Sequence, residues 1–266
     1  MVRNLPLPAR LTAIMPGMNS FLVVVVLGAV VAGFVQGLSG FAFGMVAMSF
    51  WVWVLDPHIA AAMAVFGALT GQVMAAVTVR RNVEFPLLWP FILGGLVGIP
   101  LGVVVLPNID ADVFKLGLGI LLLLWCPAML LTKAPPTFKP ANKLADGLVG
   151  LLGGTLSALG GFAGVIPTLW CTVRGFPRHS QRAVVQNFNL TMLSVTMISY
   201  LFTGMITREM WPMFAIVVPA VLIPSVVGTR LYRSISDTAF RRLVLGLLTC
   251  SGLGMLAFSL PKVLGN

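Results

Sequence analysis

The chain has few charged side chains, and acidic ones are the scarcest. Charged residues make up 9% of the 266 positions, and only 7 are Asp or Glu, whereas a soluble domain carries about 25% charged residues. Apolar residues make up 58%. This composition excludes a soluble globular domain and also disorder, which requires low hydrophobicity. The net charge of +10 does not indicate a nucleic-acid partner, since the basic residues lie between apolar stretches rather than on one element.

Cysteine and histidine are also rare, with 3 and 2 residues. No Cys has a second Cys or a His at metal-ligand spacing, so we expect small buried thiols, no metal site and no cofactor. No acid lies inside a predicted span, and His58 and His179 lie 121 residues apart. Because hydrolysis or group transfer needs a nucleophile with a base, paired acids or metal ligands, we predict no catalytic residues and no enzyme activity.

The chain is rich in apolar runs long enough to cross a bilayer, for which about 18 residues suffice. Simple spans are predicted at about 59–79, 86–106, 113–132, 183–205, 211–229 and 240–259. Two other stretches, 20–55 and 147–173, are interrupted by glycine clusters. The first is too long for one span and too short for two spans with a turn. Each stretch is therefore predicted to be a re-entrant helical hairpin that returns to its own side of the membrane.

The distribution of basic residues supports two hairpins. If each hairpin returns to its own side, 12 basic residues fall on one face and 4 on the other; if each crosses once, the split is 9 to 7. The positive-inside rule favours the first arrangement and makes the richer face cytoplasmic. Two full crossings per hairpin give the same split, so only length separates these alternatives. Both arrangements place the two termini outside the cytoplasm.

The two halves of the chain repeat each other. Residues 38–42 (Leu-Ser-Gly-Phe-Ala) match residues 159–163 (Leu-Gly-Gly-Phe-Ala) at a spacing of 121, and Trp-Pro and Ile-Pro pairs recur in the same order. Each repeat holds a hairpin and three spans, and since three crossings is an odd number the second copy is inverted. We predict an all-α polytopic membrane protein with the following units: N-terminal extracytoplasmic tail 1–19, first repeat 20–133, cytoplasmic linker 134–146 and second repeat 147–260.

The glycine-rich segments 37–41 and 159–167, the Gly-Pro pattern at 98–102 and the duplicated layout resemble the TauE/SafE family of sulfite and organosulfonate exporters. The resemblance covers nearly the whole chain and implies a transporter of the bacterial inner membrane. There is one departure: where the family usually has a small-residue run with Thr-Ser, this chain has Ala-Val-Val-Gln-Asn-Phe-Asn at 183–189. Export of sulfite or an organosulfonate is the leading hypothesis. Import, another anion such as thiosulfate or a carboxylate, and a non-transporting scaffold are the alternatives.

The hairpin tips are the first candidate binding site. New helices are predicted to begin at Phe41 and Phe162, and a helix start carries unpaired N–H groups and partial positive charge that bind anions. Inverted repeats bring both starts to one cavity near mid-membrane. The alternative is that the glycines only allow close helix packing. The candidate residues at the tips are Ser39, Gly40, Phe41, Gly160, Gly161 and Phe162.

Amide and basic side chains form the second set of candidates. Gln186, Asn187 and Asn189 lie in an otherwise apolar span, and Gln36 lies on the first hairpin; amides in such positions need partners, which are either substrate or neighbouring helices. Arg178 and Arg182 at the cytoplasmic mouth are candidates for anion entry, with ordinary topology signalling as the alternative. The expected partners are a small anion driven out by the membrane potential and membrane lipid. A homodimer is one of the alternatives, and no nucleic-acid partner is expected.

Overall fold

A computed structural model describes residues 7–78, 83–131, 142–231 and 237–264, and within this part the chain forms ten α-helices and no strand. Side chains are described from residue 22 onward, apart from residues 178, 209, 237–241 and 243. The helices are α1 (Leu7–Ser39), α2 (Phe43–Trp51), α3 (Pro57–Thr78), α4 (Phe85–Val105), α5 (Ala111–Leu131), α6 (Lys143–Gly160), α7 (Val165–Val173), α8 (Arg178–Phe202), α9 (Trp211–Leu231) and α10 (Asp237–Leu264).

Among the described residues, six helical segments are long and apolar enough to cross a membrane, which confirms an all-helical, multi-pass membrane protein. Five of them lie in α3, α4, α5, α9 and α10, where simple spans are predicted. The sixth, Leu22–Ser39, belongs to the first predicted hairpin. Helix α8 is 25 residues long but is not among the six, because its arginines and amides lower its hydropathy.

Both glycine clusters interrupt the helices where the sequence predicts a break. Gly40 has φ 84° and Gly161 has φ 73°, a left-handed conformation that glycine adopts without steric cost. At the second break, the N–H of Gly161 donates to the carbonyl of Ser157 at 2.8 Å, the hydrogen bond that closes a helix ending in a left-handed residue. Because the chain needs these residues to change direction, α2 and α7 begin at Phe43 and Val165, slightly later than the predicted starts.

The short helix after each break folds back along the helix before it. In the first hairpin, the indole N–H of Trp51 on α2 donates to the carbonyl of Val25 on α1 at 3.1 Å. In the second, the indole N–H of Trp170 on α7 donates to the carboxylate of Asp146 on α6 at 2.7 Å. Arg174 then forms a buried ion pair with the same carboxylate, with N–O distances of 2.6 and 2.9 Å. Each hairpin is thus held at its base by an aromatic donor.

Each hairpin also packs on a helix from the other half of the chain, α1 on α9 and α6 on α4. Glycines make both contacts close: a Cβ on Gly33 would lie 2.8 Å from the Val221 carbonyl oxygen, and one on Gly102 would lie 2.5 Å from that of Thr155. Helices α5 and α10 pack against each other in the same way through Gly119 and Gly252. Because each hairpin packs on the other half of the chain, both glycine breaks lie in the interior of the bundle.

Candidate functional site

A cavity of about 150 Å³ lies beside the first glycine break, between α1, α3, α8 and α9. The end of the bundle that carries Arg182 and Arg230 is called the basic face here, and the cavity lies on that side of the break. None of the lining residues is acidic. They are Gln36, Gly37, Gly40, Gly71, Gln72, Met74, Ala75, Thr78, Arg182, Gln186, Ser225, Val226, Thr229 and Arg230.

Three buried glutamines surround the inner end of the cavity. The amide of Gln72 donates to the carbonyl of Gly40 at 2.6 Å, and the amide of Gln36 donates to the carbonyl of Ala68 at 2.9 Å. The Gln186 amide nitrogen lies 2.8 Å from where a Cβ on Gly40 would be. Among the described residues, the Gln36 amide oxygen is buried without a hydrogen-bond partner. An amide oxygen is an acceptor and cannot bind an anion, but an amide NH2 group has two N–H donors, through which such side chains can hydrogen-bond an anion without placing a fixed charge inside the bundle.

The α9 side of the cavity is fixed to α1 by hydroxyl groups. Ser225 donates to the carbonyl of Gly33 at 2.8 Å, and Thr229 donates to that of Gly37 at 3.3 Å. Met74, Ala75 and Val226 supply apolar surface beside these groups. The cavity therefore offers a polar inner end and an apolar side wall.

Two arginines stand at the mouth of the cavity. Arg182 on α8 is half-buried, and Arg230 at the end of α9 is exposed. A mouth lined by one sign of charge between low-dielectric walls concentrates ions of the opposite sign. The arrangement is suited to attracting a small anion from the basic face.

The two hairpin breaks also meet each other. A Cβ on Gly44 would lie 2.5 and 2.8 Å from the carbonyl oxygens of Gly160 and Gly161, and one on Gly164 would lie 3.1 Å from the Cβ of Phe41. At the first break, the Ser39 hydroxyl oxygen accepts the N–H groups of Phe41 at 3.4 Å and of Ala42 at 3.2 Å. The hydroxyl of Ser39 is thus hydrogen-bonded to the backbone of its own turn.

Aromatic rings border both breaks. Phe41 packs edge-on against Trp125 with ring centroids 5.9 Å apart, and Phe162 is buried beside Gly160. The indole N–H of Trp125 donates to the carbonyl of Val165 at 2.7 Å, so α5 holds the first residue of α7 in place. These rings place apolar surface beside the contact between the two breaks.

One face of α8 joins the cavity to this contact. Arg182, Gln186 and Asn189 are spaced at i, i+4 and i+7, which places them on one side of the helix. Asn189 is 2% exposed, its amide oxygen has no partner among the described residues, and it lies against Gly164 of the second hairpin. Asn187 instead donates to the Ala183 carbonyl of its own helix at 2.9 Å. The side chain of Arg178 lies outside the described residues.

Arg230, Ser225 and Thr229 line the cavity but are not among the candidates that the sequence suggests. Gln72 is a weaker candidate on the same signal as Gln36, a lone amide in an apolar span, whereas Arg230 stands out in the sequence only as a topology signal. Ser225 and Thr229 carry no sequence signal, because small hydroxyl residues are ordinary in membrane helices. They reach the cavity only through the packing of α9 on α1.

The model of one protein family, described as sulfite exporter TauE/SafE, matches residues 25–255 of the chain. No match was found among curated proteins or among solved structures. The matched range contains both glycine breaks and every residue that lines the cavity. The chain belongs to the sulfite exporter TauE/SafE family, a family of membrane transporters.

Proposed function

We propose that the chain exports a small anion, sulfite or an organosulfonate, which it binds in the cavity beside Gly40. The cavity itself carries this proposal: its lining combines two arginines with three buried glutamines and contains no acid, inside an otherwise apolar bundle. Hydrogen bonds from arginine to an oxyanion are charge-assisted and stronger than neutral ones. The apolar wall of Met74, Ala75 and Val226 suits the carbon chain of an organosulfonate.

The tip candidates enter the proposal with different roles. Gly40 and Gln36 line the cavity with Gln186 and Arg182, whereas Asn189, Gly160, Gly161 and Phe162 lie at the contact between the two breaks. The anion is expected to bind first at the cavity and then to pass this contact, where the starts of α2 and α7 supply partial positive charge. Asn187 donates a hydrogen bond to a carbonyl of its own helix, so we propose that it stabilises α8 and does not bind the anion.

The architecture proposed for transport is two inverted repeats, each a re-entrant hairpin and three spans. Three observations support it. Each hairpin folds back on itself, and the first helix of each hairpin packs on a helix of the other half, α1 on α9 and α6 on α4. In addition, one aromatic pair has an equivalent at the corresponding positions of the two halves. Phe66 on α3 stacks on Phe214 of α9, and Phe188 on α8 packs against Phe91 of α4. The unit bounds 1–19, 20–133, 134–146 and 147–260 remain part of this proposal.

The basic face is proposed to be cytoplasmic, with both termini outside and the protein in the bacterial inner membrane. An interior-negative potential then drives an anion outward, by about 2.3 kcal/mol per charge per 100 mV. The lining residues include no carboxylate that could carry a coupled proton.

Thiosulfate or a carboxylate is the alternative cargo, favoured by the amides at 186 and 189 in place of the family's Thr-Ser run. A homodimer remains open.

Calorimetric binding to the purified protein tests this site. Sulfite, sulfoacetate and thiosulfate are titrated, with acetate as the carboxylate control. Arg182→Gln combined with Arg230→Gln should weaken binding of the preferred anion at least tenfold, since both charges at the mouth are lost. Arg208→Gln, which removes an exposed arginine outside the cavity lining, should change it less than twofold. Equal effects of the two changes, or no binding of any anion, would contradict the proposed site.

A further inference from the structure

The polar face of α8 continues beyond the contact between the two breaks. Thr196 and Tyr200 lie at the next i+7 and i+11 positions after Asn189, on the same side of the helix. The Thr196 hydroxyl lies 3.0 Å from that of Ser157 on α6, and the Tyr200 hydroxyl donates to the carbonyl of Ala158. The side chains of Ser157, Thr196 and Tyr200 are all 0% exposed. A row of polar groups thus extends from the basic face toward the far face, where α8 ends.

The two halves of this row differ in the space around them. On the basic side it borders the cavity, but on the far side α3 packs directly on the second break. A Cβ on Gly161 would lie 3.2 Å from the Ala64 carbonyl oxygen, and residues 60–65 of α3 are all 0% exposed. Phe66 of α3 stacks on Phe214 with centroids 4.3 Å apart. The row is therefore open on one side of the breaks and closed on the other.

Ser157 holds the position in the second hairpin that Gln36 holds in the first. The two are 121 residues apart, the spacing of the repeated motif, and each lies four residues before the glycine of positive φ. Gln36 borders the open cavity, whereas Ser157 is hydrogen-bonded to Thr196 in a closed contact. Equivalent polar positions thus border a cavity in one half of the molecule and a closed contact in the other.

We propose that Ser157, Thr196 and Tyr200 form the closed exit of the transport pathway. The inference rests on the proposed function. The structure is open to the basic face, and release on the far face requires the Ser157–Thr196 and Tyr200–Ala158 hydrogen bonds to separate. Once separated, the three hydroxyls become donors for the passing oxyanion, which they can bind without a charged group. Transport then alternates between two packings of the same helices. One is open to the basic face and closed at the far face, and the other is the reverse.

A reversible disulfide across the exit tests this inference. The Ser157→Cys, Thr196→Cys protein is reconstituted in liposomes, and sulfite flux is measured when reduced, after oxidation with the crosslink verified by mass, and after re-reduction. Oxidation should lower flux at least tenfold and reduction should restore it. Calorimetric sulfite affinity at the cavity should stay within twofold, because the crosslink lies beyond the site.

The matched control places a disulfide away from the row. Thr249 on α10 lies beside the thiol of Cys126 on α5, so Thr249→Cys can pair with the native cysteine. This crosslink should leave flux within twofold. Unchanged flux through a fully crosslinked Ser157→Cys, Thr196→Cys protein would overturn the exit, as would equal loss in the control or loss of sulfite affinity on oxidation. Absence of flux in the wild-type protein would instead remove the proposed function itself.

Discussion

At the scale of single residues, the cavity depends on amides that have two functions. Gln72 hydrogen-bonds the carbonyl of Gly40, and Gln36 hydrogen-bonds that of Ala68. The carbonyl of Gly40 lies at the break between two helices, where a buried acceptor without a partner would cost about 1–3 kcal/mol, whereas the Gln36 bond ties α1 to the middle of α3. The same side chains border the cavity. In the proposed site, the polar groups that fix the first hairpin are therefore also those that border the anion.

Gln186 and Asn187 provide a neighbouring pair of amides with different surroundings. Gln186 borders the cavity, whereas Asn187 is hydrogen-bonded to Ala183 on its own helix. A hydrogen bond to a charged group contributes about 1.5–3 kcal/mol, so Gln186→Ala should weaken anion binding by about tenfold or more. Asn187→Ala should change it less than twofold. Titration of both purified variants checks this, and a larger loss for Asn187→Ala would place the anion on another face of α8.

Gly40 should be intolerant of a side chain because both its backbone and its neighbour oppose one. A non-glycine residue in the left-handed region costs about 1–2 kcal/mol, and a Cβ here would lie 2.8 Å from the Gln186 amide. Gly40→Ala should lower both thermal stability and transport. Gly117 on α5 is the control, because a Cβ added there would meet no atom within 4 Å. Gly117→Ala should leave transport unchanged, and equal transport by the two variants in liposomes would contradict this role of Gly40.

At the scale of elements, the second hairpin is anchored at its base by a buried ion pair. The Asp146 carboxylate accepts from Arg174 and Trp170, and the side chains of the ion pair are 3–4% exposed. The first hairpin has no such pair among its described side chains and uses an indole-to-carbonyl bond instead. The difference makes the stability of the second hairpin sensitive to charge.

Asp146→Asn should therefore destabilise the protein strongly. Loss of the carboxylate leaves the buried Arg174 guanidinium without its counter-charge, at a cost of about 3–5 kcal/mol. Asp112→Asn is the matched control, because its pairs with Lys115 at 3.5 Å and Lys262 at 3.7 Å are partly exposed and such pairs contribute about 1 kcal/mol or less each. Thermal unfolding in detergent should show a much larger decrease in Tm for Asp146→Asn. Similar values for the two variants would refute the anchoring role.

The positions of the helices and their breaks could be predicted from the sequence better than the residues that line the cavity. Long apolar runs and glycine clusters are strong signals, since a span has a minimum length and a left-handed turn favours glycine. Both breaks and the helices after the first lie close to the predicted positions, whereas α1 begins at Leu7 instead of residue 20. The α9 wall could not be predicted. Ser225 and Thr229 line the cavity because they hydrogen-bond residues of α1 that lie 192 positions away in the chain. The sequence of α9 alone does not indicate such a contact. Arg230 was visible only as a positive charge at a helix end.

At the scale of the whole molecule, the breaks meet in the interior but the space around them is unequal. The side toward Arg182 and Arg230 has a cavity, and the far side is filled by α3 and the Phe66–Phe214 stack. The repeated motif and the exchanged hairpin contacts provide two similar halves for alternating exposure. A transporter of this kind should carry its anion by a saturable process.

Flux through the purified protein in liposomes tests the central claim, export of a sulfur oxyanion through this cavity, most directly. Sulfite, sulfoacetate, thiosulfate and acetate are compared, with a potassium gradient setting the membrane potential and the Arg182→Gln, Arg230→Gln protein as control. We predict saturable flux of a sulfur oxyanion that rises with a potential directed to move the anion from the basic face to the far face, and that falls at least tenfold in the control. Flux of no anion above that of empty liposomes, with folded protein present, would contradict the claim.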